Sequence, residues 1–409
     1  MTEKYKTSRL VGGVNSPVRA GLSVNAEPFL ASSSEGPYLY DKKGNAYIDY
    51  ICGFGPIIIG HKHPTIKHIL ENSDFFSTLG VCNPYEESLA QLVQSANSNI
   101  DKVRFTNSGG EAVNTAVKIA KGYTQRSRIL KFVGQYHGAV DSVLGYLSPS
   151  QSIKTGIDPK TSDQLVCVPF NDTKALEDAF SHNSFAAVII EVISGNMGFI
   201  RASNPFIAKL QSLCDTHQCL LIVDEIMTGF RVGLGGTCKL YNLKPDLITY
   251  GKVVGGGFPI GAIAGPEKLM NTLSPVGPIY QAGTFSGHPI SMACGVAVLE
   301  FLHTQPVFEH FDHYLKTLST ELNSIFKQKG VPFCMDHQGG MFGFYFQDRY
   351  PESYADITKE CEGLFNQFYH HMRSNKILLP PSHLEAIFMT FAHDTKCLEK
   401  TLEAAQSAF

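Results

Sequence analysis

The stretch PDLITYGKVVGGGFPIGAIAG, from Pro245 to Gly265, places a lysine where a folding chain normally puts none. A short apolar run ends in Gly251, Lys252 follows, and then come two valines and three glycines. An ammonium is costly to remove from water, so a lysine in this setting needs a chemical reason. Nucleotide binding does not supply one. A GxxxxGK[ST] loop requires glycine at 246 and a hydroxyl residue at 253, where Asp246 and Val253 stand, and GxGxxG fails at Ile260.

The surrounding pattern is α/β. Ala186–Ile190 (AAVII) and Leu220–Val223 (LLIV) are short, β-branched and apolar on both faces, as in buried parallel strands. Val103–Thr106 reads as a strand feeding a helix over Gly110–Lys121, and Leu39–Tyr50 as a hairpin turning at Lys43-Gly44-Asn45. Asn83-Pro84-Tyr85-Glu86 is a capping box ahead of the stripe Leu89, Leu92, Val93, Ala96. Asn204-Pro205 opens a helix to about His217. Beyond residue 300 the texture becomes amphipathic helix, with Phe311, Tyr314, Leu315, Leu318, Leu322 and Ile325 in register, then Leu364, Phe365, Phe368 and Met372. The expected fold is therefore α/β. An N-terminal segment and hairpin (1–50) precede a large domain with a mostly parallel sheet (51–300), followed by a smaller C-terminal α+β domain (301–409).

Composition narrows the function. Charged residues are only 17% of 409, against roughly 25% in typical soluble domains, and hydrophobic residues are 43%, which points to a large core and a subunit interface. A net charge of −3 gives no reason to expect nucleic acid. No apolar run approaches the roughly 18 residues that span a bilayer, and the start MTEKYKTSRL has no signal-peptide core. Ten cysteines without a CxxC read as reduced thiols in a cytoplasmic protein. His61 and His63, two histidines without further ligands, are not read as a metal site.

Four further stretches carry chemistry. LLIVDEIMTGFRVG puts Asp224 and Glu225 at the carboxyl end of a buried strand, where ligand crevices form; a helix cap or surface ion pair is the alternative. FTNSGGEAV places Ser108 and Glu111 as a capping box around Gly109-Gly110, an anion site or simply a capped helix. GQYHGAV sets Tyr136 and His137 in a glycine-flanked turn, where the aromatic covers a flat ring or fills the core. QAGTFSGHP offers Thr284 and Ser286 for a phosphate or as plain loop. One ligand, pyridoxal phosphate, uses an anion site, a carboxylate for a ring cation, an aromatic cover and a buried lysine together.

Read as a whole, the chain resembles class III, fold-type I pyridoxal-phosphate enzymes, and within them the glutamate-1-semialdehyde 2,1-aminomutase family. The matching stretches include GGVNSPVRA, NSGGEAV, KFVGQYHG, GNM, DEIMTGFRVG, GKVVGGGFPIGA, GPIYQAGTFSGHP and LEA, in family order from about residue 10 to 393. The resemblance implies that Lys252 bonds the cofactor and carries protons, Asp224 pairs the ring nitrogen, and Ile226 and Tyr136 cover the ring faces. It implies a phosphate held by Ser108 and Gly109, joined by Thr284 of a second subunit in a homodimer, and places His137 and Asn196 beside the cofactor. Ser16 and Arg19 match positions that hold the substrate carboxylate, and Glu385 matches one near its amino group. Read without the family, Arg19 is a solvated arginine and Glu385 a solvated loop carboxylate. The implied reaction is intramolecular amino transfer from glutamate-1-semialdehyde to 5-aminolevulinate, with pyridoxal and pyridoxamine phosphate alternating; an ω-amino-acid:oxo-acid transaminase is the alternative. Two departures bear on gating and phosphate binding: Leu147–Leu165 is shorter than the family's gating loop, and Gly110 stands where a threonine is usual.

Overall fold

A computed structural model describes residues 8–148 and 151–409. The polar start, Met1–Thr7, and two residues of the Leu147–Leu165 segment lie outside the described residues. The centre is a seven-stranded sheet in the order Lys102–Thr106, Gly261–Gly265, Leu247–Gly251, Leu220–Asp224, Phe185–Ile190, Arg128–Phe132, Leu165–Val168. Only Gly261–Gly265 runs against its neighbours. Phe185–Ile190, Leu220–Asp224 and Leu247–Gly251 are buried at every position, which is why their sequences show no alternation.

The helices follow local signals. Asn83 caps the Pro84–Ser95 helix in a complete capping box with Glu86, and Ser203, one residue before Asn204-Pro205, caps Asn204–His217. The Gly109–Thr124 helix buries Ala112, Val113, Ala116, Val117, Ile119 and Ala120 in a core shared with Ile189, Ile222 and Ile263 of the sheet. Its proposed capping box is only half formed. Ser108 Oγ accepts from Glu111 N–H at 3.3 Å, but the Glu111 carboxylate turns to the Asn107 N–H at 3.0 Å, one residue before the cap.

Beyond residue 300, helices Val307–Gln328, Lys359–Ser374 and Thr395–Gln406 stand with an antiparallel sheet of Cys334–Gln338, Met341–Tyr345 and Ile387–Phe388. The hairpin Tyr38–Tyr40/Ala46–Asp49 forms as its turn residues require, with Asp41 Oδ1 accepting from the Lys43 and Asn45 N–H groups. Its outer strand then pairs in parallel with Ile377–Leu378, so the two ends of the chain share one sheet. Among the described residues no single helix is long and apolar enough to cross a membrane.

Gly261 shows how tightly the sheet grips the start of the Gly109–Thr124 helix: a Cβ there would lie 2.1 Å from the Ser108 carbonyl oxygen. At Gly110 the nearest atom to a Cβ would be 3.8 Å away. Gly261→Ala is therefore expected to lower stability by about 1–3 kcal/mol, whereas Gly110→Ala should be neutral or slightly stabilising. Urea unfolding midpoints of the two variants check this; equal midpoints would remove the steric account.

Candidate active site

The carboxyl edge of the sheet gathers the polar residues. Asp224 ends one strand, Lys252 follows the next, Glu191 follows Phe185–Ile190, and Ser108 follows Lys102–Thr106. Parallel strands deliver their carboxyl ends to one side, and the crevice forms there.

At one end of the crevice lies an anion seat. Ser108 caps the helix, and the first N–H groups of any helix lack intrahelical partners. Glycine at 109 lets Ile226 lie close against the helix start: a Cβ there would lie 2.7 Å from Ile226 Cδ1 and push that side chain away. Ile226 also lies against Gly251, so its side chain bridges the helix start and the lysine strand. This covers one face of the crevice between the anion seat and Lys252.

Asp224 is 4% exposed and sits in a web of donors. Its Oδ1 accepts from Ile226 N–H at 3.0 Å and Thr249 Oγ at 3.2 Å, and its Oδ2 is 2.7 Å from His137 Nδ1. It is neither a helix cap nor a surface ion pair. With Asp224 ionised, His137 Nδ1–H donates to it, leaving Nε2 buried without a partner. A carboxylate oriented this way suits a cationic ring nitrogen. Tyr136, next in chain to His137, is 41% exposed, so its ring is available to cover a ligand rather than consumed by the core.

Lys252 takes φ +47°, a left-handed conformation that costs a non-glycine residue roughly 1–2 kcal/mol. Its stem passes Gly55, where a Cβ would lie 3.3 Å from Lys252 Cδ and 3.4 Å from the Phe388 ring. The residue keeps some exposed area, yet its ammonium is enclosed enough that burial pulls its pKa down, opposed by the carboxylates of Glu385, Glu191 and Asp224. Burial pushes Glu385 up to about 7, with Lys252 opposing. Glu385 is thus no solvated loop carboxylate: it shares the surroundings of Lys252.

Other residues complete the site or stand apart from it. Asn196 donates to both Glu191 oxygens, at 2.9 and 3.1 Å. Arg231, fully buried, donates to the carbonyls of Met389 at 2.7 Å, Ile57 at 2.8 Å and Gly55, and stacks over Phe388. The Arg19 side chain is exposed, and Ser16 borders a cavity of about 350 Å³ within the N-terminal segment, lined also by Val11, Val14 and Leu22. Thr284 is exposed, its carbonyl accepting from Thr78 Oγ at 3.0 Å. His61 bonds Asp49 at 2.8 Å, and His63 caps the Pro64–Asn72 helix.

Sequence reasoning missed Glu191 and Arg231. Glu191 follows FAAVII much as Asp224 closes LLIVD, so the strand-end argument was available for it. Arg231 lies inside the DEIMTGFRVG stretch, but nothing local distinguishes it from a surface arginine.

An enclosed amine, a buried carboxylate, an exposed aromatic and a capped helix start that suits an anion fit pyridoxal phosphate. Residues 22–393 match the family model "Aminotransferase class-III". An ω-transaminase from Sphaerobacter thermophilus superposes with a TM-score of 0.90 at 25% identity, covering 99% of this chain and 95% of that one. A transaminase solved with pyridoxal phosphate bound gives 0.85 at 26%, with 99% and 97% coverage. A glutamate-1-semialdehyde aminomutase from Pseudomonas aeruginosa PAO1 gives 0.83 at 20%, with 93% and 87%.

Glu385 makes a pH-dependent contribution that can be isolated. Its pKa is raised from an ordinary 4.5 to about 7, so the folded protein holds a proton that the unfolded chain releases. Stability from this group is full below about 4.5 and is lost as pH rises through about 7. In cofactor-free protein, Glu385→Gln should therefore gain thermal midpoint relative to wild type between pH 5 and 8. A difference that stays constant across that range removes Glu385 from the account.

Proposed function

The chain belongs to the class III aminotransferases, enzymes of fold-type I that use pyridoxal phosphate, and within them we propose that it moves an amino group inside one molecule, converting glutamate-1-semialdehyde to 5-aminolevulinate. The observation that carries this reading is the placement of the Glu385 carboxyl beside Lys252, in a chain that also bears GGVNSPVRA and GPIYQAGT. When bound, the cofactor supplies the electron sink that takes and returns nitrogen. The chain supplies the rest. Lys252, its proton affinity lowered by burial, is the group that bonds the cofactor and moves protons at the reacting carbons. Asp224, oriented by His137 and Thr249, keeps negative charge at the ring nitrogen. Tyr136 and Ile226 exclude water from the ring faces, and the Ser108–Gly109 helix start holds the phosphate. Asn196 lies beside the cofactor, and Glu385 faces the substrate amino group. Ser16 and Arg19 fix the substrate carboxylate, so that either carbon end of the substrate can reach Lys252.

A second reading, an ω-amino-acid:oxo-acid transaminase, is favoured by the exposure of Arg19 within a single chain. The two differ in what must stay bound. A mutase keeps its diamine until nitrogen returns; a transaminase releases its product and admits an acceptor. Wild-type protein is expected to turn over glutamate-1-semialdehyde with no added acceptor. Arg19→Ala should raise KM by roughly 30-fold or more, the equivalent of losing one charged partner at about 2–5 kcal/mol, and should leak diaminovalerate. Turnover that stops after one cycle unless pyruvate is added favours the transaminase.

The active form is proposed to be a homodimer that shares its sites. Phe76, Val81, Val276, Tyr280 and Phe285 are each at least 59% exposed, and the Thr78–Thr284 bond ties the segments that carry them together. An apolar face of this kind suits a second copy of the chain. With Thr284 acting across the interface, a mixed dimer of Lys252→Ala and Thr284→Ala chains has one site with both lesions and one with neither. Mixing the two impaired proteins should restore activity; no recovery despite proven subunit exchange contradicts sharing.

A further inference from the structure

The turn that carries Tyr136 and His137 is short, and both its ends are glycines in the left-handed region, Gly134 at φ +89° and Gly138 at +88°. A Cβ at Gly134 would lie 2.4 Å from Met197 Sδ, and one at Gly138 2.8 Å from Gly110 Cα. The turn is thus wedged between the Gly195–Met197 turn and the helix start. A segment of this kind has no ladder to hold it, so its hydrogen bonds must come from side chains.

They come from three fully or nearly fully buried polar residues. Lys131, 0% exposed, donates from Nζ to the Gln135 carbonyl at 2.7 Å. Gln135, also 0% exposed, donates from Nε2 to the Glu191 carbonyl at 2.7 Å and accepts the Glu191 N–H at 2.9 Å. Glu191 Oε1 accepts the Tyr136 N–H at 3.0 Å, and Oε2 accepts the Gly195 N–H at 3.0 Å. Burial lowers the pKa of Lys131, opposed by Cys167 and by Glu191.

We propose that Lys131, Gln135 and Glu191 form a buried clamp that positions the Tyr136–His137 turn against the cofactor. Tyr136 is held through its own N–H, and its neighbour His137 carries the clamp's effect to Asp224. The hydrogen bonds of the clamp run to backbone groups and to Asn196, so we assign its members as positioning residues. The inference rests on the bound cofactor and is independent of which amino compound is turned over.

The clamp depends on a carboxylate, because both Glu191 oxygens accept backbone N–H groups. In Glu191→Gln an NH₂ must face one of those N–H groups, and one bond is lost whichever way the amide turns. The test uses full-length protein loaded with pyridoxal phosphate, with visible-range circular dichroism of the bound cofactor, cofactor affinity by fluorescence titration, and thermal unfolding of the cofactor-free form. Glu191→Gln is expected to weaken the cofactor by about tenfold, as for one lost hydrogen bond to a charged group. The ellipticity per bound cofactor should fall by half or more, while the cofactor-free midpoint stays within a few degrees of wild type. Lys131→Met should shift affinity and ellipticity in the same direction and serves if the first variant fails to fold. Unchanged affinity and ellipticity overturn the proposal, as does a fall in the cofactor-free midpoint with affinity intact, or failure of both variants to fold. A wild-type protein that binds no pyridoxal phosphate would instead overturn the cofactor reading itself.

Discussion

An amine enclosed at the end of an apolar strand survives folding only if charge of the other sign is gathered around it, and most of this site can be read as that gathering. Burial drives the pKa of Lys252 down; Glu385, Glu191 and Asp224 work against it. The same three carboxyls are themselves costly to enclose, and each is treated differently. Asp224 receives two donors and an imidazole. Glu191 receives two backbone N–H groups and an amide, and burial still raises its pKa. Glu385 has the least compensation and rises to about 7. A carboxyl raised to about 7 beside an amine lowered by burial is an arrangement suited to moving protons near neutral pH.

That arrangement requires strands to end at one level, and the sheet supplies this. Asp224 pairs with Thr249 in register, so the carboxylate and the hydroxyl that holds it stand side by side. The one strand that runs the other way, Gly261–Gly265, permits its neighbours to approach because Gly261 has no side chain to strike Ser108. The Ser108 helix start, Asp224 and Lys252 are therefore held by backbone packing as much as by their own side chains.

The proposed substrate residues and the proposed phosphate contact Thr284 are built differently. Arg19 and Thr284 are exposed and Ser16 is half-buried in a single chain. Under the proposed assembly a second copy of the chain has most to contribute here, and the exposed apolar side chains near the Thr78–Thr284 bond give such a copy something to bury. Lys252, Asp224 and the Ser108 helix start all belong to one chain, whereas Arg19 and Thr284 stand exposed on it.

Much of the fold was legible in the chain. Fully apolar β-branched runs became all-buried strands, the Asn83 box formed, and the helical stripes after residue 300 became the buried faces of Val307–Gln328 and Lys359–Ser374. Lys252, Asp224 and Ser108 were legible as polar residues at strand ends, because strand periodicity and helix caps are written in neighbouring residues. What the local pattern could not give were partners distant in sequence. His137 reaches Asp224 from 87 residues away. Glu191 finds Tyr136 across 55 residues, and the last strand of the N-terminal hairpin finds Ile377–Leu378 near the other end of the chain. The sequence by itself determined which residues are helical, extended or buried, since these follow from spacing and local bonding. Only the tertiary structure decided which buried polar groups share a proton, an acceptor or a charge, because that depends on distances set by packing across the sheet.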